Sequence, residues 1–389
     1  MHLSTADQSE LEAAVRVDLG AIFVSLELSR STWLVTSIVP GSEKMSRHMV
    51  AGGDSAGLLV CLTGLRSKAE ARTGTLYPLV VIQEAGLDGF WIDRVLNRED
   101  WIESHIVDAA SIAVSRRHRR AKTDRLDGEA LIRALLAVKR GEPRVCSMVR
   151  VPTPENEDRR RTNRERKVLV AERVEHVNRI KGLLFSQGIR DYEPLRRDRR
   201  DRLEELRTGD GRALPARMKA QIGRELDRLE LLLGQIKAVE AERDALLAAT
   251  AVDASTPAAM LLKLKGIGPE FATILHAEGL FRHFNNRRQV AAYAGLAPSP
   301  WKSGTIDHEQ GVSKAGNPRL RTTMVELAWL WLRHQPASGL ARWFSERVAR
   351  NGGRLKKAMI VALARKLLVA LWKYATAGVV IEGALMKTA

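Results

Sequence analysis

Through the first part of the chain, short apolar runs bounded by Gly and Pro alternate with stretches of helical spacing. Five runs predict strands, at 15–18, 22–28, 33–39, 79–82 and 104–114. Helical spacing predicts helices at 58–71, 89–96 and 124–138. Because the later strands alternate with helices, this part is predicted to form an α/β layered domain.

From residue 155 to residue 250 the strand pattern stops, and apolar residues recur at helical spacing instead. A strict four-three spacing, typical of a coiled-coil seam with charges on the other faces, joins Ile222, Leu226, Leu229, Leu233 and Ile236. Turn-forming residues interrupt the pattern at 188–194 and 209–215. This region is therefore predicted to be a long helical hairpin with a short inserted helix.

The rest of the sequence is mixed and rich in Gly and Pro as far as residue 334, and helical from 338 to 389. The predicted fold class is α/β plus α. Three domains are expected: an α/β domain at 12–150, a helical coiled-coil region at 151–250, and a mainly helical domain at 251–389.

Composition narrows the class of partner. The 389 residues carry 63 Lys and Arg against 46 Asp and Glu, and the net charge of +17 favours a polyanion such as nucleic acid. Two cysteines, Cys61 and Cys146, cannot form a disulfide framework, which favours a reduced, cytoplasmic setting. The polar N-terminus lacks a signal-peptide pattern, and the most apolar stretch, 358–372, is too short to span a bilayer.

Four acidic residues occur where a metal site could form. Asp18 ends the first predicted strand, Glu84 follows the buried strand, and Asp124 and Asp127 share one face of a helix. Carboxylates that converge at a sheet edge could hold the divalent ions that catalyse phosphodiester chemistry. The alternative is structural, because Asp124 could cap its helix and Asp127 could favour the helix dipole.

The chain resembles the transposases of the bacterial IS110 group of insertion sequences, over nearly its whole length. The motifs that carry the resemblance are Val17-Asp18, Gln83-Glu84-Ala85-Gly86, Lys122-Thr-Asp124-Arg-Leu-Asp127, Gly266-Ile-Gly268-Pro269, Tyr293-Ala-Gly-Leu-Ala-Pro298, Ser303-Gly304 and Ser313-Lys-Ala-Gly-Asn317. One departure is that Leu-Gly-Ala-Ile-Phe follows Asp18, where many relatives have a short polar Val-Ser-Lys stretch.

The resemblance implies a RuvC-like, ribonuclease-H-type domain whose acidic tetrad is Asp18, Glu84, Asp124 and Asp127. It also implies a coiled coil, and a C-terminal transposase domain bearing a catalytic serine. The expected cofactor is Mg²⁺. The expected partners are donor and target DNA, a structured bridge RNA that pairs with both, and further copies of the chain as a dimer or a tetramer of paired dimers.

Ser303 is the serine that this pattern favours. It lies in a proline-rich stretch predicted to be a surface loop, and Lys302, Lys314, Arg319 and Arg321 are close in sequence. Cations beside a hydroxyl would stabilise the charge that develops when it attacks a phosphate. Two alternatives remain: Ser303 is an ordinary exposed serine, or the nucleophile is Ser313, which otherwise suits a helix N-cap.

Other features indicate nucleic-acid binding. Leu264-Lys-Gly266-Ile-Gly268-Pro269 resembles a helix-hairpin-helix turn that approaches a DNA phosphate, although a plain turn between core helices would look the same. The basic candidates are Arg116, Arg117, Arg119, Arg120, Lys122, Arg159, Arg160 and Arg161. A solvated helix face is the alternative for the second cluster. Trp329, Trp331 and Trp343 sit at helical positions and are predicted to be core.

The leading hypothesis is a bridge-RNA-guided recombinase that uses a Mg²⁺-dependent acidic tetrad and a covalent phosphoserine intermediate at Ser303. The rival enzyme is a metal-dependent junction or flap nuclease in which water attacks. The non-enzyme alternative is a basic protein that packages RNA or DNA.

Overall fold

The structure, a computed structural model, describes residues 20–42, 44–86, 89–112, 124–142, 145–250, 255–303, 306–350 and 352–387. The chain divides into two compact units, Met1–Pro152 and Thr153–Ala389. The second unit includes both the helical region and the C-terminal region, so the division into three domains remains a prediction.

The first unit is built on a six-stranded mixed sheet. Its elements are β1 (Ile22–Leu28), β2 (Thr32–Ile38), β3 (Ser46–Ala51), α1 (Ser55–Thr73), β4 (Leu79–Glu84), α2 (Trp91–Leu96), β5 (Ile102–Val107), α3 (Asp124–Lys139) and β6 (Met148–Val149). The strand order is β3-β2-β1-β4-β5-β6. The pairs β1–β4 and β4–β5 are parallel, whereas β1–β2, β2–β3 and β5–β6 are antiparallel.

Two apolar layers cover the sheet, one on each face. Even-numbered residues of β1, such as Ile22 and Val24, pack with α1 and α2. The odd-numbered Phe23 packs instead with Leu131 and Leu135 of α3. Because successive residues of a strand point to opposite faces, α3 lies on the face opposite to α1 and α2.

One predicted strand is longer than the structure shows, and one edge strand was not predicted. The run 104–114 forms a strand only as far as Val107, and the next described element is a short 3₁₀ turn at Ala109–Ser111. Strand β3 was missed because most of its side chains are at least partly exposed and only Val50 is buried, so its sequence lacks an apolar pattern. The predicted strand 15–18 lies outside the described residues.

The second unit is mainly helical. Its elements are α4 (Pro154–Asp158), α5 (Arg161–Phe185), α6 (Arg199–Glu205), α7 (Ala216–Thr250), α8 (Pro257–Leu262), α9 (Pro269–Leu275), a π-helical turn (His276–Leu280), α10 (Arg287–Tyr293), β7 (Pro298–Ser303), β8 (Ile306–Val312), α11 (Pro318–His334), α12 (Gly339–Arg350) and α13 (Lys356–Ala377). The predicted hairpin with an inserted helix is confirmed as α5, α6 and α7.

Helices α5 and α7 of this hairpin pack antiparallel. Early in α5, Leu169 packs with Ile236 near the later part of α7. Late in α5, Ile180 packs with Ile222 and Leu226 near the start of α7. The four-three positions of α7 therefore form the apolar seam of the hairpin. Coiled-coil geometry as such remains a prediction.

A separate apolar core joins the C-terminal helices. The prediction that Trp329 belongs to this core is wrong. Trp331 on α11 is 1% exposed and its indole Nε1 donates to Ser338 Oγ at 2.9 Å. Trp329 on the same helix is 42% exposed. Two residues along a helix turn a side chain by about 200°, so both rings cannot face the same core.

Candidate functional site

Two carboxylates lie side by side at one edge of the sheet. Strands β1 and β4 are parallel, with Leu26 opposite Gln83, so Glu27 and Glu84 are neighbours at the ends of their strands. Val80 and Ile82 of β4 pack against α3. Glu84 is two residues after Ile82, so its side chain projects to the same face of the sheet. Glu27 likewise shares the α3 face with the odd-numbered residues of β1. Both carboxylates therefore project to the face that α3 covers.

Helix α3 begins beside these carboxylates. Ser25 Oγ on β1 donates to the carbonyl oxygen of Gly128 at 2.9 Å, and Leu135, two turns further along α3, packs with Phe23 deeper in the sheet. The helix thus runs antiparallel to β1, and its first residue, Asp124, is at the end of the helix next to Glu27 and Glu84.

Gly128 lies where α3 packs against β1 and β2, and it allows the close approach of helix and sheet. A Cβ atom added to Gly128 would lie 2.9 Å from Thr36 Oγ1 and 3.3 Å from Ser25 Oγ. The missing side chain lets the α3 backbone contact β1 and β2 directly. This contact fixes how far the start of α3 lies from the carboxylates.

Glu27 and Glu84 line one cavity of about 530 Å³, together with Ser29, Arg30 and Gly86. Two carboxylates and a guanidinium in one cavity provide ligands for a cation and a counter-charge for a phosphate. Such a mixed lining differs from that of an apolar ligand pocket.

These residues fit part of a divalent-metal site. Carboxylate oxygens are the ligands that Mg²⁺ prefers. Within the described ranges, no three His, Cys, Asp or Glu side chains are gathered closely enough to hold a metal ion. Asp127 is a half-buried residue of α3, and the side chain of Asp124 lies outside the described residues. A third ligand would have to come from the start of α3.

Glu27 is an acidic residue of this cavity that sequence reasoning did not single out, while Asp18 lies outside the described residues. The signal was present: Glu27 interrupts the apolar strand 22–28, and Leu28-Ser29-Arg30 follows it. That tripeptide is similar to the Val-Ser-Lys stretch that was expected after the first acid and is lacking after Asp18.

Ser303 lies at the end of a strand, not in a loop as predicted. Strands β7 and β8 pair antiparallel, with Ser303 opposite Ile306, so a two-residue connection at 304–305 joins them. The side chains of Lys302 and Ser303 lie outside the described residues.

Ser313, the rival nucleophile, belongs to the turn before α11. Its Oγ accepts from the amide of Ala315 at 3.3 Å, and its own amide donates to the carbonyl oxygen of Ala297 at 2.8 Å. The residue that caps α11 is Asn317, so the predicted N-cap role of Ser313 is wrong. Pro318 is the first residue of α11.

The predicted basic residues differ in their surroundings. Arg159, Arg161 and Arg319 are exposed. Arg160 is buried: its Nε donates to the carbonyl oxygen of Ala277 at 3.0 Å and its guanidinium stacks on Phe281 at 4.5 Å. This contact leaves Arg160 unavailable to nucleic acid, which corrects its assignment as a contact residue. The cluster Arg116, Arg117, Arg119, Arg120 and Lys122 lies outside the described residues.

The glycine turn before α9 has a packing role. Gly266 has φ +89°, and a Cβ atom there would lie 2.7 Å from His334 Cβ on α11. Gly268 precedes α9 in an extended conformation, with open space around the position of a Cβ atom. Gly266 is thus explained by core packing, while Gly268 is the position open to a ligand.

A buried carboxylate holds the start of α11, which follows the β7–β8 hairpin. Glu278, in the π-helical turn, accepts from Arg164 Nε of α5 at 3.0 Å and from Asn317 Nδ2 at 2.9 Å. Burial by itself raises the pKa of Glu278. The hydrogen bonds from Arg164 and Asn317 and the charge of Arg164 outweigh it, and the net pKa is below the ordinary value.

Comparison with known proteins defines the class of protein. Residues 258–343, which include the β7–β8 hairpin and all of α11, match the family model described as "Transposase IS116/IS110/IS902 family". Putative transposase y4rJ of Sinorhizobium fredii is 70% identical over 395 residues, covering 99% of this chain and 100% of that protein. The transposase for insertion sequence element IS1111A of Coxiella burnetii is 29% identical over 259 residues, 66% of this chain and 67% of the relative.

The chain belongs to the IS110 family of insertion-sequence transposases. Its class of activity is accordingly DNA transposition. Each helix that the structure describes is too short or too polar to cross a lipid bilayer.

Proposed function

We propose that this transposase cuts and rejoins DNA through a Mg²⁺-dependent carboxylate site and a serine nucleophile, Ser303, and that a bridge RNA guides it. The observation that carries the proposal is the pairing of Glu27 and Glu84 at one sheet edge, on the face where α3 begins. The strand order and directions of β1 to β5 support a ribonuclease-H-type, RuvC-like domain.

The metal ligands would be Glu27, Glu84, Asp124 and Asp127. Glu27 takes the place that the sequence assigned to Asp18, because β1 is the strand that pairs with β4. Bound Mg²⁺ supplies charge that polarises the scissile phosphate and stabilises the attacking and leaving oxygens. The extra methylene of Glu, compared with Asp, lets this ligand reach further from the strand end.

Ser303 would act as the nucleophile on DNA. Its oxygen forms a bond to the phosphorus, the bond from the phosphorus to one sugar oxygen breaks, and a proton moves from the serine hydroxyl to that sugar oxygen. The phosphoserine bond conserves the energy needed for rejoining. Lys302, the neighbour of Ser303 in the sequence, would stabilise the negative charge that develops on the phosphate. Lys314, Arg319 and Arg321, further along the chain, would bind other phosphates of the nucleic acid.

Basic residues would bind the nucleic-acid backbones. Arg159 and Arg161 at the start of α5 and the cluster at 116–122 would bind phosphates of the bridge RNA or DNA, which makes affinity fall steeply with salt. Gly268 would let a DNA phosphate approach the turn before α9. Recombination between two DNA sites would require at least two copies of the chain.

The test for the nucleophile is a denaturing gel of full-length protein mixed with labelled donor DNA, bridge RNA and Mg²⁺. A covalent protein–DNA adduct is expected for the wild type and for Ser299→Ala, a matched change in the same strand, and is expected to be absent in Ser303→Ala. An adduct that survives Ser303→Ala and disappears in Ser313→Ala would transfer the role to Ser313. Cleavage without any adduct would favour the nuclease alternative.

A second experiment compares cleavage by two variants and tests whether Glu27 or Asp18 is the metal ligand. Glu27→Gln is expected to abolish cleavage, whereas Asp18→Asn is expected to retain it. The reverse result would return the role to Asp18. If neither change affected Mg²⁺-dependent cleavage, the proposed carboxylate site would be wrong.

A further inference from the structure

A second cavity, of about 440 Å³, lies in the C-terminal unit between α11, α13 and the segment that follows β8. The residues that decide its chemistry are Val312, Lys314, Arg321, Thr322, Glu326 and Trp329. It combines an aromatic ring, two cations, a hydroxyl and a carboxylate. None of the described residues that line the acidic cavity of the first unit is aromatic.

Trp329 is held in place but is not buried. Its ring makes an edge contact with Phe344, with ring centroids 6.4 Å apart, and the ammonium of Lys356 lies 5.6 Å from its centroid. These contacts restrict the ring, yet 42% of the residue is exposed. A restrained, exposed indole at a cavity wall can stack on a flat ligand with little further loss of conformational freedom.

The cations beside the ring are positioned by the backbone. Lys314 has φ +59°, a left-handed conformation that is uncommon for a residue with a side chain. Arg321 Nη1 donates to the carbonyl oxygen of Lys314 at 2.7 Å, which ties this segment to α11. Lys314, Arg321 and Lys356 thus place three positive charges near one exposed indole.

We propose that this cavity binds an unpaired nucleotide, whose base stacks on Trp329 and whose phosphate is bound by Lys314 and Arg321. Stacking on an aromatic ring selects unpaired bases because the faces of bases within a duplex are covered by their neighbours. Thr322 and Glu326 provide hydrogen-bonding groups for the base edge. The chemistry suits an unpaired strand of either DNA or RNA.

The bound nucleotide is distinct from the one that is cut. Strand β8 runs from Ile306, opposite Ser303, to Val312 at the cavity, a length of roughly 20 Å for an extended strand. The cavity would therefore bind a strand at a site beside the scissile phosphate, not at it. This inference rests on the proposed function only in taking nucleic acid as the ligand.

The test measures binding without cleavage. Full-length protein without Mg²⁺ is titrated into labelled oligothymidylate, oligouridylate and a DNA duplex, and fluorescence anisotropy gives the three dissociation constants. Trp329→Leu keeps an apolar side chain but removes the flat ring. We expect it to weaken binding of an unpaired strand about tenfold, and duplex binding less than twofold. Trp329→Phe, which keeps a ring, is expected to lose about threefold.

Trp91→Leu is the matched control, because Trp91 is also partly exposed, at 38%, and lies in the other unit. It is expected to leave all three constants unchanged. Circular dichroism and thermal unfolding confirm that each variant is folded. A loss confined to oligothymidylate assigns the site to DNA, and one confined to oligouridylate assigns it to RNA.

The proposal is overturned if Trp329→Leu binds the unpaired strands as the wild type does. It is also overturned if it weakens duplex binding equally, or if Trp91→Leu produces the same loss. Failure of the proposed serine chemistry would show as an absent adduct and would leave these binding constants unaffected. The two outcomes can therefore be told apart.

Discussion

The buried carboxylate of Glu278 gives a sharp test of how the second unit is held together. Glu278 is 3% exposed and accepts hydrogen bonds from Arg164 and Asn317. Glu278→Gln keeps the size of the side chain but removes its charge. Breaking a fully buried ion pair costs about 3–5 kcal/mol. Because the Arg164 side chain is 39% exposed and can be solvated, we expect a loss of about 2–3 kcal/mol.

The assay is urea unfolding of the full chain, followed by circular dichroism. The variant is expected to lower the midpoint of the transition that reports the helical unit, with little change in slope. Glu175→Gln is the matched control, because Glu175 is an exposed glutamate of α5. It is expected to change the free energy of unfolding by less than about 0.5 kcal/mol. Equal stability of Glu278→Gln and Glu175→Gln would refute the reasoning.

The ion pair between Glu278 and Arg164 predicts that the stability of the fold depends on pH. The pKa of Glu278 is lower in the folded chain than its ordinary value, which is about 4.3 in an unfolded chain. The carboxylate therefore stabilises the fold above about pH 4.3, and its contribution is lost as the pH falls through the folded-state pKa. The stability difference between wild type and Glu278→Gln is expected to be full at pH 6 and to narrow in acid. A difference that widened in acid would contradict the assignment.

Three further predictions follow from contacts described above. Gly128→Ala is expected to lower the free energy of unfolding by about 1–2 kcal/mol, because the clash with β2 outweighs the gain in helix propensity. Gly182→Ala, in open space on α5, is the control and should stabilise the chain slightly. Thermal unfolding of the two variants tests this difference. Burial raises the pKa of Glu225, but its hydrogen bonds to His176 and Arg179 lower it overall. Glu225→Gln should thus destabilise the chain above about pH 4 and progressively less below it, as urea midpoints at several pH values would show. Arg160→Met should lower the free energy of unfolding by about 1–3 kcal/mol and leave DNA affinity equal to that of wild type. A large fall in DNA affinity in a folded variant would contradict the structural role of Arg160.

Much of the fold could be predicted because the apolar pattern is strong where burial is complete. Residues 79–83 are buried on both faces of the sheet, and the seam of α7 repeats at helical spacing, so both are visible in the sequence. Strand β3 could not be predicted, because an exposed edge strand needs few apolar residues. Its pairing with the preceding strand β2 is made by backbone groups, which leave little trace in its own composition.

The site was predicted less completely, and the reason is geometric. Glu84 and the acids of α3 lie at element ends that periodicity identifies. The structure places Glu27 beside Glu84 because β1 pairs with β4, and this pairing is not encoded in local spacing, although the Leu28-Ser29-Arg30 stretch after Glu27 was a signal in the sequence. The predictions for Arg160, as a nucleic-acid contact, and for Trp329, as a core residue, were wrong for a similar reason. The exposure of both side chains depends on tertiary contacts that the sequence pattern does not reveal.

The buried glutamate of the α5–α7 hairpin has a consequence for alignment between the helices. An apolar seam that repeats every seven residues would pack almost equally well after a slip of seven. Glu225 is 5% exposed on its side chain and contacts both His176 and Arg179 of α5, and Arg166 contacts Glu240 further along α7. A slipped hairpin would bury Glu225 without these partners, at a cost that the leucines cannot offset. The charged residues thus select one register among several that the leucines alone would allow.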